Sequence, residues 1–268
     1  MNIFEVLLLQ PLANGLVLSY RLLGGNMGLA IIAFSLFLRF ALNPLTKPYM
    51  ESMKKMKDYQ KELNKLKQKH KGDRQKFMQA QKDFYKDKGI NPSAGCLPYL
   101  LQIVVLIAFF NVFSRVLKSD ANIINNFNQL LYPPLQFAAD AIVNTKFLIW
   151  DITKPDTITG ILPIAIPGPL LILAAITQFV SAKITQPYLE AEEAIAKKTK
   201  NEKDDMQVAM QQSMVYTFPL ITLLVGISFA SGLVLYWLVF SVTQAYQQYS
   251  TSGWGGMTPW IKKAGLLK

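Results

Sequence analysis

Apolar and polar segments alternate along this chain, and the apolar ones approach the length of a membrane-spanning helix. A helix of about 20 apolar residues crosses the roughly 30 Å hydrocarbon core of a bilayer. The pattern therefore predicts an all-α integral membrane protein with five transmembrane helices. The predicted spans are residues 27–47, 93–117, 161–186, 212–229 and 230–249.

The segments outside these spans are polar or are interrupted by polar residues. Residues 1–26 are apolar but contain Glu5, Gln10 and Arg21, which predicts an amphipathic helix in the membrane interface. A sixth span is the alternative for this segment. The other segments are a helical hairpin at 48–92, an extracytoplasmic loop at 118–160, a cytoplasmic loop at 187–211 and a cytoplasmic tail at 250–268.

The hairpin at 48–92 is strongly basic, and each half has the apolar spacing of a helix. Gly72 and Asp73 separate the halves, and Asp73 is the predicted N-cap of the second helix. Two interpretations of its charge stay open. It is either a solvated loop that sets orientation, or a docking surface for the ribosome, a targeting factor or acidic headgroups.

Charge and composition narrow the class of protein. The net charge is +11, 51% of residues are hydrophobic and the mean hydropathy is +0.22. The basic residues lie between apolar spans, which favours a membrane surface over direct nucleic-acid recognition. Because they concentrate in 48–92, 187–211 and 250–268, the positive-inside rule places the N-terminus outside and the C-terminus in the cytoplasm.

Arg39 is the main anomaly in the hydrophobic pattern, because it lies inside the first predicted span. An arginine at the centre of a membrane helix costs about 2.5–3.5 kcal/mol on insertion scales. Ser35, Arg39 and Asn43 recur at steps of four, so they share one helix face. This polar face must contact protein or water rather than lipid.

Other spans also carry polar residues at helical spacing, and the five spans contain no Asp or Glu. We predict that these residues and the polar face of the first span line a groove open to cytoplasm and lipid. Helix–helix hydrogen bonding inside a bundle is the alternative for the individual Ser, Thr and Gln residues. The additional predicted groove residues are Gln102, Thr177, Gln178, Ser181, Trp237, Ser241 and Gln244.

The sequence contains no constellation that indicates catalysis. We find no phosphate-binding loop, no Ser/His/Asp arrangement and no pair of carboxylates within the spans, so we expect no enzyme activity and no cofactor. Cys96 and His70 are the single cysteine and histidine, which predicts neither an intrachain disulfide nor a metal site.

Three motifs resemble the YidC family of membrane protein insertases, which includes the mitochondrial Oxa-type and chloroplast Albino-type proteins. GLAIIAFSLFLRFALNPLTKP resembles the family's arginine-bearing first core helix, and INPSAGCLPYLLQI resembles the opening of its second. The last two helices of the family are similar to MQQSMVYTFPLITLLVGISFASGLVLYWLVFSVTQAYQQY. The order and spacing of these motifs agree with those of the family from Ile3 to Tyr249.

This resemblance implies five core helices around a hydrophilic groove closed on the outer side, in a protein of the bacterial plasma membrane. It implies that Arg39 is the groove arginine, that Trp237 is a groove aromatic and that Gln102 is the second-helix glutamine. In the third helix of this chain, the glutamine is Gln178. It lies one turn before the position, just ahead of the basic residue aligned with Lys183, at which the family often has glutamine. That position holds Ala182 in this chain.

The implied function is insertion of nascent membrane proteins, whose polar tails pass through the groove while their apolar segments move into lipid. The implied partners are those nascent chains, the lipid bilayer, the Sec translocon, the ribosome and signal recognition particle components. Two other classes stay open: a small-solute transporter or channel, and a membrane scaffold whose basic hairpin docks ribosomes.

Overall fold

The computed structural model describes residues 2–70, 73–90, 97–117, 123–160, 163, 165–185 and 205–266, without some helical side chains such as that of Gln102. The described chain is mostly helical. A π-helical turn, Glu5–Leu9, precedes the first helix, and 3-10 turns occur at Pro133–Leu135 and Gly255–Met257. The helices are α1 Gln10–Leu22, α2 Met27–Ala41, α3 Asn43–Asp58, α4 Gln60–Lys69, α5 Arg74–Asp87, α6 Leu97–Leu117, α7 Ile123–Asn128, α8 Pro169–Thr185, α9 Asp205–Gly226, α10 Ser231–Ser252 and α11 Thr258–Lys263.

Two antiparallel pairs of very short strands add to the helices. Strand β1 (Lys146–Phe147) pairs with β2 (Trp150–Asp151), and β3 (Thr157–Ile158) pairs with β4 (Ile166–Pro167). The sequence pattern did not predict these strands, because two residues are too few to establish an alternation of apolar and polar positions.

The chain divides into two compact units. Unit 1 contains Met1–Ala41, Leu101–Gln178 and Phe218–Thr243, and unit 2 contains Leu42–Leu100, Phe179–Thr217 and Gln244–Lys268. The core of unit 1 is aromatic. Phe109 is 1% exposed and stacks on Tyr236 with ring centroids 4.5 Å apart. Helix α1 packs closely on α2, since a Cβ at Gly15 would lie 2.3 Å from the ring of Phe34.

Polar contacts join α1 to a distant part of unit 1. The side chain of Asn14, which is 4% exposed, donates to the carbonyl of Leu130 at 3.0 Å and accepts from the amide of Tyr132 at 2.7 Å. Arg21 donates to the carbonyls of residues 134–136. The NH2 group and the oxygen of this buried side chain are therefore both bonded to the segment that follows α7.

The β1–β2 hairpin is joined to the first turn of α2. The Asn26 side chain accepts from the amide of Leu29, which caps the helix, and donates to the carbonyl of Lys146, both at 3.0 Å. The amide of Met27 donates to the carbonyl of Asn144 at 3.1 Å. One side chain thus starts a helix and holds a loop in place.

A buried carboxylate connects this loop to the start of α8. Asp156 is 7% exposed, and its two oxygens accept from the indole N–H of Trp150 and the amide of Leu171, each at 2.8 Å. A Cβ at Gly168 would lie 2.2 Å from an Asp156 oxygen, so only glycine fits beside it. The carboxylate satisfies one of the orphan amides that begin a helix.

In unit 2, α4 and α5 form the basic hairpin. The Tyr59 and Phe84 rings meet edge to face at 6.0 Å, and the Lys88 ammonium lies 4.8 Å from the Tyr59 ring centroid and 3.6 Å from Glu62. Asp73 is the N-cap of α5, as predicted: its carboxylate accepts from the Lys76 amide at 3.0 Å. That hydrogen bond lowers the pKa of Asp73 below its usual value.

The first predicted span, 27–47, does not form one continuous helix. Helix α2 ends at Ala41, Leu42 forms a turn, and α3 begins at Asn43. Pro44 explains the break, because proline has no amide to donate to the Phe40 carbonyl and its ring collides with that carbonyl in a continuous helix.

By length and composition, no single helix within the described ranges qualifies as a membrane span. The consecutive helices Met27–Ala41 and Asn43–Ser52 qualify only when taken together, as a bent pair. Shorter apolar helical stretches occur at Ile103–Arg115, Pro169–Thr185 and Val215–Gly226.

Candidate functional site

Arg39 lies in the last turn of α2 and is half-buried. Its guanidinium carbon is 5.0 Å from the centroid of the Phe240 ring in α10, a cation–π contact within unit 1. Such contacts contribute from about 0.5–1 kcal/mol at exposed sites to about 2 when desolvated. The end of α2 also favours the charge, because the helix dipole is negative at its C-terminus.

Phe240 was not among the predicted site residues. It follows Trp237 by three positions on α10, so the same helical spacing that selected Trp237, Ser241 and Gln244 also points to it. The predicted set contains polar residues and one tryptophan of that face, but no phenylalanine. The structure places the ring of Phe240 next to the Arg39 guanidinium.

The other predicted residues of α10 in unit 1 have packed environments. Trp237 meets Phe229 edge to face, with ring centroids 5.7 Å apart. Ser241 is 5% exposed, one turn after Trp237. Aromatic rings and one small buried hydroxyl residue therefore form this part of the helix.

Ser35 and Thr177 satisfy their hydroxyl groups within their own helices. Ser35 is buried and donates to the carbonyl of Ile31. Thr177 donates to the carbonyls of Leu173 and Ala174, at 2.9 and 3.0 Å. Such back-bonding is common for Ser and Thr in helices and does not by itself indicate a binding role.

Gln178 makes a contact between two helices of unit 1. Its side-chain oxygen accepts from the hydroxyl of Thr222 in α9 at 2.6 Å, and Thr222 is 4% exposed. Gln178 itself is half-buried. Thr222 is not among the predicted groove residues, and its position as a polar residue within an apolar stretch is the signal that could have identified it.

Three predicted residues, Asn43, Ser181 and Gln244, belong to unit 2. Asn43 is exposed, and its side-chain oxygen accepts from the amide of Gln247 at 2.6 Å. Gln247 is not among the predicted residues, and it follows the half-buried Gln244 by three positions. Ser181 is 4% exposed, and its carbonyl accepts from the Thr185 hydroxyl.

The structure thus joins Arg39 to Phe240 and Gln178 to Thr222 in unit 1, and Asn43 to Gln247 in unit 2. Gln102 belongs to α6, but its side chain lies outside the described part of the chain. No group of three or more His, Cys, Asp or Glu residues that could hold a metal ion occurs in the described ranges.

Comparison with known proteins identifies the family. The model of the 60Kd inner membrane protein family matches residues 18–254. Relatives named membrane protein insertase YidC include those of Pelobacter propionicus, 31% identical over 89% of this chain, and Dinoroseobacter shibae, 33% identical over 85%. A Shewanella relative of the same name is 34% identical over 87%.

The chain spans about a third of the length of these relatives, namely 37%, 34% and 35% of each. The matched region contains every predicted groove residue, from Ser35 to Gln244. Since the family match extends over most of the sequence, the chain belongs to the 60Kd inner membrane protein family, whose curated members include the YidC insertases.

Proposed function

We propose that this protein is a membrane protein insertase of the bacterial plasma membrane. It spans the bilayer several times, with its N-terminus outside and its C-terminus in the cytoplasm. The names of its relatives support the activity, and the observation that carries the mechanism is the cation at the end of the apolar helix α2. No chemical transformation and no cofactor are required.

The Arg39 environment suits a transient acidic ligand. The Phe240 ring has no net charge, so its contact holds the guanidinium in place without neutralising it. Half-burial places the charge where water screens it less than at the protein surface. An acidic side chain of a nascent chain gains a charge-assisted hydrogen bond with the guanidinium there.

The remaining groove residues have a supporting role in this proposal. Asn43, which is exposed, and the half-buried Gln244, both in unit 2, provide polar groups for a hydrophilic tail that has left bulk water. The tail of the substrate moves part of the way across the bilayer in this setting. Its apolar segment then partitions into lipid, and the burial of that segment drives release.

The basic hairpin supplies the cytoplasmic side of the same process. Helices α4 and α5 present exposed lysines, among them Lys61, Lys65 and Lys82. Such a surface fits anionic partners: ribosomal RNA, signal recognition particle components or acidic headgroups. The Sec translocon is a further proposed partner.

Insertion by purified protein in liposomes tests the proposal. The substrate carries a short acidic tail, and a matched substrate has the acidic residues changed to neutral amides. A charged hydrogen bond contributes about 1.5–3 kcal/mol, so Arg39→Ala lowers insertion of the acidic substrate about 10- to 100-fold. Arg39→Lys keeps part of the activity, because it keeps the charge but not the planar fork.

The control variant is Lys154→Ala, which removes an exposed cation far along the chain from Arg39. It inserts both substrates at the wild-type rate. Equal insertion of the acidic substrate by wild type and Arg39→Ala refutes the role of the arginine. Failure of wild-type protein to insert either substrate refutes the insertase assignment itself.

Cysteine accessibility separates the insertase from a transporter and from a dry scaffold. Single cysteines at positions 39, 178 and 237 are treated with a membrane-impermeant thiol reagent from each side. Labelling from the cytoplasmic side alone supports a groove open to that side. Labelling from both sides indicates a channel, and labelling from neither indicates a packed, dry bundle.

A further inference from the structure

We propose that the tip of the β1–β2 hairpin, Leu148 and Ile149, inserts into the lipid of the bilayer beside the start of α2. The two side chains are each 80% exposed, which is unusual for adjacent branched apolar residues. They form the two-residue turn between Lys146–Phe147 and Trp150–Asp151. The inference rests on the proposed membrane location, but not on the insertion mechanism.

The backbone at the tip is unfavourable for the residue it carries. Leu148 has φ +54°, and it is the one non-glycine residue with positive φ in the described chain. Two-residue hairpin turns of this kind normally carry Asn or Gly, which adopt positive φ at little cost. An exposed leucine in this conformation gains nothing in water, so its apolar side chain must have a use outside the folded protein.

The base of the hairpin is rigid, so the tip has a fixed place. The hydrogen bond from Asn26 to the Lys146 carbonyl ties β1 to the first turn of α2. Phe147 packs so closely on Gly28 that a Cβ there would lie 2.2 Å from the ring. On the other strand, the Trp150 indole donates to Asp156. The tip therefore stands next to the N-terminal end of the apolar helix α2.

Neighbouring surfaces of unit 1 are also apolar and exposed. Leu22 at the end of α1 is 75% exposed, and Leu29 in the first turn of α2 is 44% exposed. Ile142, two residues before the Asn144 that bonds Met27, is 93% exposed. The segments that are hydrogen-bonded at the base of the hairpin thus also expose apolar side chains, of the kind that a membrane protein presents to lipid.

Lipid fits this tip better than a protein partner does. Two side chains offer a small part of the roughly 1,200 Å² that a specific protein interface buries. Lipid chains need no such area and no shape complementarity. The exposed Lys146 lies two residues before the tip, where its ammonium suits the phosphates of the headgroups.

Depth-dependent fluorescence quenching tests the inference in the full chain. The native Cys96 is changed to serine, and an environment-sensitive thiol fluorophore is attached at Ile149→Cys. The protein is reconstituted in phosphatidylcholine vesicles with or without bromine on the acyl chains. We expect the probe at 149 to be quenched at least about twofold more than the same probe at Lys154→Cys, which is the solvent-exposed control.

Leu148→Asn gives a second measurement that does not depend on disrupting the fold. Asparagine accepts the positive φ more readily than leucine, so the hairpin keeps its shape while losing an apolar side chain. The quenching at position 149 then falls by about half or more. Equal quenching at 149 and 154 overturns the inference.

Two further outcomes distinguish lipid contact from contact with a second copy of the chain and from the insertion mechanism. Emission that changes with the protein-to-lipid ratio but not with bromination means that the tip meets a second copy of the chain, and the inference is then wrong. The insertion assay is run on the same vesicles. Loss of insertion with retained quenching refutes the insertase mechanism alone, and retained insertion without quenching refutes the lipid contact alone.

Discussion

Asp156→Ala is predicted to be among the more destabilising single changes in unit 1. It removes the acceptor of two hydrogen bonds of 2.8 Å and leaves the Trp150 indole and the Leu171 amide without it. Hydrogen bonds to a charged group contribute about 1.5–3 kcal/mol each. Removing a buried charge also relieves its desolvation cost, which favours the lower end of the sum, about 3 kcal/mol.

The expected shift in melting temperature follows from that estimate. For a chain of this size, 1 kcal/mol corresponds to about 2–4 °C, so Asp156→Ala lowers the melting temperature by about 6–12 °C. Asp156→Asn keeps an oxygen for one donor but turns an NH2 group towards the other. It therefore loses about half as much. Circular dichroism of the detergent-solubilised protein measures both shifts.

The matched control is Asp140→Ala, which removes an exposed carboxylate from the same loop and leaves the melting temperature unchanged. Trp150→Phe removes one of the two donors while keeping an aromatic ring, and it falls between wild type and Asp156→Asn. If Asp156→Ala melts within about 2 °C of wild type, the carboxylate does not hold the start of α8, and the reasoning is refuted.

Two more predictions concern a cap and a helix contact. Because Asp73 has a lowered pKa in the folded chain, its capping contribution is complete above the unfolded pKa of about 3.9 and is lost as the pH falls through the folded value. Hydrogen exchange of the first turn of α5, expressed relative to the intrinsic exchange rate at each pH, shows this as lower protection at low pH and, at neutral pH, in Asp73→Ala, with Asp83→Ala as the unaffected control. For Gln178 and Thr222, a double-mutant cycle with Gln178→Met and Thr222→Val gives a coupling of about 0.6 kcal/mol in thermal unfolding, typical of hydrogen bonds between membrane helices. A coupling near zero instead assigns Gln178 to a groove surface rather than to packing.

The parts of the fold that depend on residues close together in the sequence could be predicted from it. Asp73 was predictable as a cap because a short acidic side chain before a helical pattern has a direct partner three residues later. The end of α2 was predictable in principle from Pro44, but the continuous apolar pattern of residues 27–47 outweighed it. The structure places Arg39 in a last turn rather than in mid-helix.

The spacing of apolar and polar residues could not predict contacts between segments that are distant in the sequence. Nothing in the spacing of α10 specifies that Phe240, rather than Trp237, lies over Arg39, because that depends on how α2 and α10 pack. The same holds for Asp156, whose partners Trp150 and Leu171 are brought together only by the folding of the loop. Local sequence predicts caps and helices, whereas side-chain partners across the fold require coordinates.

The polar contacts of α1 have a consequence for the order of events during synthesis. Asn14 needs Leu130, which is 116 residues later, and Asn26 needs Lys146, which is 120 residues later. At about 5–20 residues per second, translation takes roughly 6–24 s to supply the second partner. Until then, the amide of Asn14 has no long-range partner within its own chain. The arrangement of the N-terminal helices therefore cannot be fixed until the chain has been synthesised as far as Lys146, and water or lipid headgroups solvate their polar side chains in the interval.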